Sequence, residues 1–262
     1  GGDGAFTSGG WEWSAGGPGM VAASSSLALH DCTLAGGKPA DADSEGEGGP
    51  GGAGLVAVDK GAIATLPTHV FAAGTTFVGH DGGVDFSCFA AGDGGDGAHL
   101  DGALVSAWFL DCSFVPGKKG ACGGIGEDGV DVALEHGATR SMLPGAARGV
   151  VAASPARESQ AMALQVDAVA ADGCFLLAAV EGDWQLVLPL AGVLLAGPTF
   201  AAPLVPLGTA PAGGSFGLGV PVPLLPPGVD HLTVHLQGVF TDAGGAWWLG
   251  GPATPLVLDA AF

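Results

Sequence analysis

Leu29-His30-Asp31-Cys32-Thr33-Leu34 and Phe109-Leu110-Asp111-Cys112-Ser113-Phe114 follow one pattern, and Ala72-Ala73-Gly74-Thr75-Thr76-Phe77 between them is a looser copy. Leu29, Cys32 and Leu34 are the inward candidates, with His30 and Thr33 outward. Inward residues three apart cannot share one uninterrupted strand, whose side chains alternate with period two. A one-residue bend between two short strands restores the phase. Asp31, Gly74 and Asp111 hold the bend, and Asp and Gly are residue types that tolerate positive φ. Stacked copies then place Cys32, Thr75 and Cys112 in one interior column and Leu34, Phe77 and Phe114 in the next. Each coil buries its apolar face only against its neighbours.

A second set alternates with the first: Gly54-Leu55-Val56-Ala57, Gly97-Ala98-His99-Leu100 and Gly129-Val130-Asp131-Val132, with Asp3-Gly4-Ala5-Phe6 as an earlier copy. Gly-rich loops of unequal length follow the first set, and their glycines read as tight turns between many short strands. Gly (50 residues) and Pro (18) exceed a quarter of the 262-residue chain, a level that without a period signals disorder. Their alternation with apolar runs argues instead for an all-β fold.

Acidic residues number 26 against seven basic ones, and no Lys or Arg follows Arg157. Phosphate backbones need clustered cations, which excludes nucleic acid and disfavours anionic membranes and polysaccharides. From Gln185 to Val229 the chain carries no charge, but Pro189, Pro198, Pro203, Pro206 and five further prolines would break a membrane-spanning helix there. Five cysteines, an odd count without a CxxC, give a zinc site no support. Cys112 and Cys122 could bridge across a Gly-rich loop, although spacing does not fix connectivity. The opening Gly1-Gly2-Asp3-Gly4 has no signal-peptide pattern and reads as the start of a piece of a longer protein.

The Asp-Cys-Thr-Leu and Asp-Cys-Ser-Phe segments with their Gly-rich returns resemble the right-handed parallel β-helix of the pectate-lyase-like superfamily, in the repeat versions found in bacterial secreted proteins. The resemblance implies a stacked solenoid that binds or cleaves polysaccharide or serves as a surface spacer. The expected fold class is all-β: a short right-handed parallel β-helix over residues 1–147, the C-terminal coils of a longer solenoid, followed by a β-sandwich over 148–262. Leu143-Pro144-Gly145 mark the end of the repeat. Beyond them Ala161–Val166, Cys174–Val180, Trp184–Leu188, Phe216–Val222, His231–Phe240, Ala246–Leu249 and Pro255–Leu258 are strand-length runs between turn residues. In His231–Gln237 strict alternation sends Leu232, Val234 and Leu236 to the core and His231, Thr233, His235 and Gln237 to water.

No catalytic constellation emerges. Asp31 and Asp111 are accounted for by the bend, and Lys60 and Arg140 stand in no acid–base cluster. Asp93, Asp96 and Asp101 are the candidate metal ligands, since carboxylates in a Gly-rich loop suit Ca²⁺. The loop resembles the nonapeptide Ca²⁺ repeats of secreted toxins, but His99 replaces a required aspartate. Asp41, Asp43, Glu45 and Glu47 form another acidic, Gly-flanked loop that reads as solvated. His231 and His235 lie too far apart along a strand to share an ion. Trp11, Trp13 and Trp248 are the candidate carbohydrate-binding residues, since an exposed indole can stack on a sugar.

The resulting expectation is a non-enzymatic module, secreted or on the cell surface, for adhesion or cell-envelope display. Its partners would be polysaccharide or envelope components, with no cofactor beyond Ca²⁺. The alternative is a polysaccharide-binding or polysaccharide-degrading protein, a lyase or glycoside hydrolase acting on the β-helix face.

Overall fold

The computed structural model describes residues 15–41, 48–59, 66–84, 90–121, 125–196 and 204–261. The described chain is all-β, with helix confined to one 3₁₀ turn at Leu188–Leu190. Among the described residues no helix is long and apolar enough to cross a membrane. The chain divides into two compact units, Gly1–Met142 and Leu143–Phe262.

In the first unit the chain visits three sheets in rotation. The first sheet stacks Met20–Ala23, Leu55–Val58, Ala98–Asp101 and Val132–Glu135 in parallel. The second holds Ser26–His30, Thr68–Ala73, Val105–Leu110 and Thr139–Leu143. The third holds the short strands Thr33–Ala35, Thr76–Val78 and Ser113–Val115. Between second and third sheets sit Asp31 (φ 49°), Gly74 (φ 60°) and Asp111 (φ 52°), all left-handed, so the bend falls where the repeat requires it. Leu34, Phe77 and Phe114 occupy one register position. Phe77 stacks on Phe114 with ring centroids 5.3 Å apart, and Phe109 meets both edge-on. Cys32 and Cys112 pack partly buried against the same core, and Thr75 is fully buried.

The second repeat set has a different register from the sequence alignment. Val132, not Val130, lies opposite Ala98 and Leu55. The third copy has slipped by two residues, which leaves each side chain on its original face. Gly19 and Met20 supply the earlier copy, since Met20 pairs with Leu55; Asp3-Gly4-Ala5-Phe6 lie outside the described residues.

The Gly-rich returns are not tight turns. Among the described residues of this unit positive-φ glycines occur only at Gly74, Gly102 and Gly137. Extended segments run out from the third sheet and back to the first, and their hydrogen bonds recur every third residue. Gly48, Gly51 and Gly54 donate to the carbonyls of Ala90, Asp93 and Asp96 in the next coil. A second row links outgoing to returning segments, from Gly37 to Gly17, Gly52 to Gly37, His80 to Gly52, Gly95 to His80, Gly117 to Gly95 and Gly129 to Gly117. A period of three belongs to the extended polyproline II conformation, not to a strand or an α-helix. A Cβ on Gly16, Gly51, Gly79 or Gly120 would lie 1.9 Å from a neighbouring carbonyl oxygen. Close approach, not backbone twist, therefore demands glycine here. The N–H groups that this lattice leaves over are taken by carboxylates: Lys118 donates to Asp81 (2.6 Å), Glu127 to Asp93 (2.8 Å) and Val130 to Asp96 (2.9 Å).

In the second unit a seven-stranded sheet runs Val205–Thr209, Gly173–Ala179, His235–Thr241, Trp247–Ala253, Gly149–Ala152, Ala161–Asp167, Ser215–Pro221. It curls around one apolar cluster that includes Val150, Leu164, Val166, Leu236 and Phe240. Ala156 and Val257, from a three-stranded sheet, complete that cluster. The hairpin Gly182–Val187 and Gly192–Ala196 covers the other face through Leu194, against Leu177, Val239 and Leu249. The run His231–Phe240 is not one strand. It breaks at Val234, so His231–Thr233 joins the small sheet and His235–Thr241 the large one. Gln237 is buried rather than facing water, because the hairpin roofs it. Its amide accepts from Leu195 N–H and donates to the Val193 and Gly250 carbonyls.

Arg148 and Asp172 form a buried ion pair at 2.6 Å. Arg148 also donates to the Ala146 carbonyl, and Asp172 accepts from Val169 N–H. Removing one partner strands a buried charge, so Asp172→Ala is expected to lower the unfolding free energy of this unit by about 3–5 kcal/mol in urea titration. For the glycine layer, Gly95→Ala sets a methyl 2.1 Å from the Gly52 carbonyl oxygen and is expected to cost about 3 kcal/mol. Gly213→Ala, which meets nothing within 4 Å, is the matched control and should stay within about 0.5 kcal/mol.

Candidate functional site

On the first sheet Leu100, Ala98, Leu55 and Ala57 point into the core, so His99 and Asp101 share the opposite, outer face. The register sets Glu135 directly beside Asp101 on the neighbouring parallel strand. Donor atoms of His99, Asp101 and Glu135 all lie within 4.8 Å of one another, the one such group of three among the described residues. His99 Nε2 stands 3.8 Å from a Glu135 carboxylate oxygen. His99 Nδ1 is 3.0 Å from Asp96 Oδ2. A carboxylate only accepts, so Nδ1 carries the proton and donates, which leaves Nε2 turned to the acidic side. The hydrogen bond to Asp96, followed by the fields of Asp96, Glu135 and Asp101, raises the His99 pKa above its usual value against the opposing effect of burial. Asp101 is buried, and His136, left-handed at φ 47°, bonds to its carboxylate from the turn after Glu135.

The three aspartates singled out in the sequence do not converge as a set. Asp101 belongs to the donor cluster, Asp96 backs it through His99, and Asp93 accepts from Glu127 N–H in the glycine layer. Glu135 is not evident from the sequence, because only the two-residue slip brings it opposite Asp101. The alternation His99-x-Asp101 on one strand face was the available signal.

Trp248 is half-buried, with the Arg148 guanidinium 4.5 Å from its ring centroid and its indole N–H donated to Asp242. The more exposed indole is Trp247, at 42% exposure and in ring contact with Phe175. Trp11, Trp13 and Lys60 lie outside the described residues, as do Asp43, Glu45 and Glu47, while Arg140 is exposed on the edge strand Thr139–Leu143. Cys112 carries a free thiol rather than a disulfide. Its Sγ points at the Ala72 and Leu110 carbonyls, and burial raises its pKa. Cys122 lies outside the described residues.

No family model, curated protein or solved structure matches the chain.

His30, half-buried as a residue but with both ring nitrogens buried, lies away from this cluster. His30 packs against Phe71, and neither ring nitrogen has a hydrogen-bond partner among the described residues. Burial lowers its pKa from 6.5 to about 4. Between those values the unfolded chain holds the extra proton, so stability is complete above pH 6.5 and falls as pH drops toward 4. The loss is expected to reach about 2–3 kcal/mol, read as the difference between wild type and His30→Phe in urea titrations across that window.

Proposed function

We propose that residues 15–142 form a short right-handed parallel β-helix that serves as a stiff, non-enzymatic extracellular spacer, with the curled sheet after it acting as a β-sandwich module. The observation that carries this reading is the coil-to-coil backbone hydrogen bonding among the described residues, through three sheets and the flanking glycine layer. Bonds along the stacking axis resist bending, and they run beside the apolar cluster inside the coils. The net charge of −19 keeps such a surface hydrated and self-repelling, as a display element in contact with envelope polymers requires. Pectate-lyase-like architecture and polysaccharide or envelope partners belong to the same proposal.

The competing reading is polysaccharide cleavage, and it is tested directly. The full chain, incubated with polygalacturonate and other uronate polymers with and without Ca²⁺, is expected to release no unsaturated sugar. Release above a heat-denatured control would replace the spacer reading with that of a lyase.

A further inference from the structure

Among the described residues Val132–Glu135 is an edge of the first sheet, with a partner strand on one side only. Its inward Leu134 is 44% exposed, whereas Leu100 one coil earlier is fully buried. A stacked repeat is weakest at such a terminal coil, which lacks the neighbour that would cover it. On the outer face of this weak rung the chain sets Asp101 and Glu135 side by side, a like-charge pairing that destabilises adjacent strands.

We propose that His99 Nε2, Asp101 and Glu135 bind one Zn²⁺ ion, which staples the terminal coil to the coil before it. The donors come from two strands, so an ion shared among them is a cross-strand bond. Three donors within 4.8 Å of one another can close on a single ion at about 2.0–2.2 Å with small side-chain rotations. One imidazole with two carboxylates suits zinc, whereas Ca²⁺ takes oxygen ligands alone.

The surroundings are those of a metal-binding histidine. Asp96 accepts the Nδ1 proton and thereby fixes the tautomer with Nε2 free to ligate. Asp96 is itself anchored through Val130 N–H at 2.9 Å. His136 Nδ1 bonds to the Asp101 carboxylate and stands 3.8 Å from the Glu135 oxygen that faces His99. This assignment rests on the spacer reading for its purpose, and not for its chemistry.

The test uses the untagged full chain, stripped with chelator and titrated with ZnCl₂ or CaCl₂. Binding is followed by calorimetry and by amide hydrogen exchange over residues 132–135. The expected result is a zinc equivalent that slows exchange there about tenfold or more and that a hundredfold excess of Ca²⁺ does not displace. His99→Gln should lose that equivalent and its protection. Asp96→Asn, which keeps all three ligands, should weaken zinc binding about 10-fold to 100-fold. Metal-free exchange over Leu55–Val58 should match wild type in both variants, which separates lost binding from lost folding. No zinc uptake, uptake unchanged in both variants, uptake without slower exchange at 132–135, or Ca²⁺ in its place would each overturn the assignment. Sugar release bears on the spacer reading alone.

Discussion

The first unit depends on how closely its backbones approach in the glycine layer. Gly36 faces the Gly52 carbonyl, Gly52 faces that of Gly17, and Gly95 faces that of Gly52, each with no room for a methyl group. The approach allows N–H groups on two sides of a segment to reach carbonyls on two different neighbours. An extended chain with three residues per turn presents its N–H groups in several directions, so a stack of such segments can satisfy itself without side chains. Asp81, Asp93 and Asp96 then accept the N–H groups that face out of the lattice. Carboxylates are therefore part of the layer's hydrogen-bond accounting and not only of its charge.

The strand stack and the glycine layer hold each other in register. Each left-handed corner at Asp31, Gly74 and Asp111 delivers the chain to the third sheet at an equivalent point, and each outgoing segment starts from there. The aromatic column of Phe77 and Phe114 locks one side of that spacing, and the glycine rows repeat it on the other. A slip of one residue in either would turn side chains out of the core or push a side chain into the lattice. The two-residue slip before Val132 avoids both faults, since it keeps every face while Gly129 still donates to Gly117.

Much of the strand architecture was legible because it is written in side chains. The bend needs a residue tolerant of positive φ, and the inward columns need apolar or small neutral groups; both signals stand in the Asp-Cys-Thr-Leu copies. The glycine layer was misread because glycine marks a turn and a close contact equally well. The distinguishing signal was present in the spacing Gly48, Gly51, Gly54, which no turn requires. Gln237 was misread because alternation reports which face a residue takes but not what covers that face. Of the three-residue donor cluster, Asp101 stood among the sequence candidates, and its alternation with His99 on one strand face was readable. Glu135 depends on a register that local sequence does not encode.

The glycine layer is held by amide-to-carbonyl bonds and is built largely without side chains of its own. Exposing apolar surface raises the heat capacity of unfolding, and exposing polar surface lowers it. Melting this layer should therefore add little to that heat capacity. The stability curve of the first unit should be flatter than that of an oil-filled domain of equal length, and cooling should weaken it less. A structure cemented by peptide groups keeps its stiffness over a broad span of temperatures.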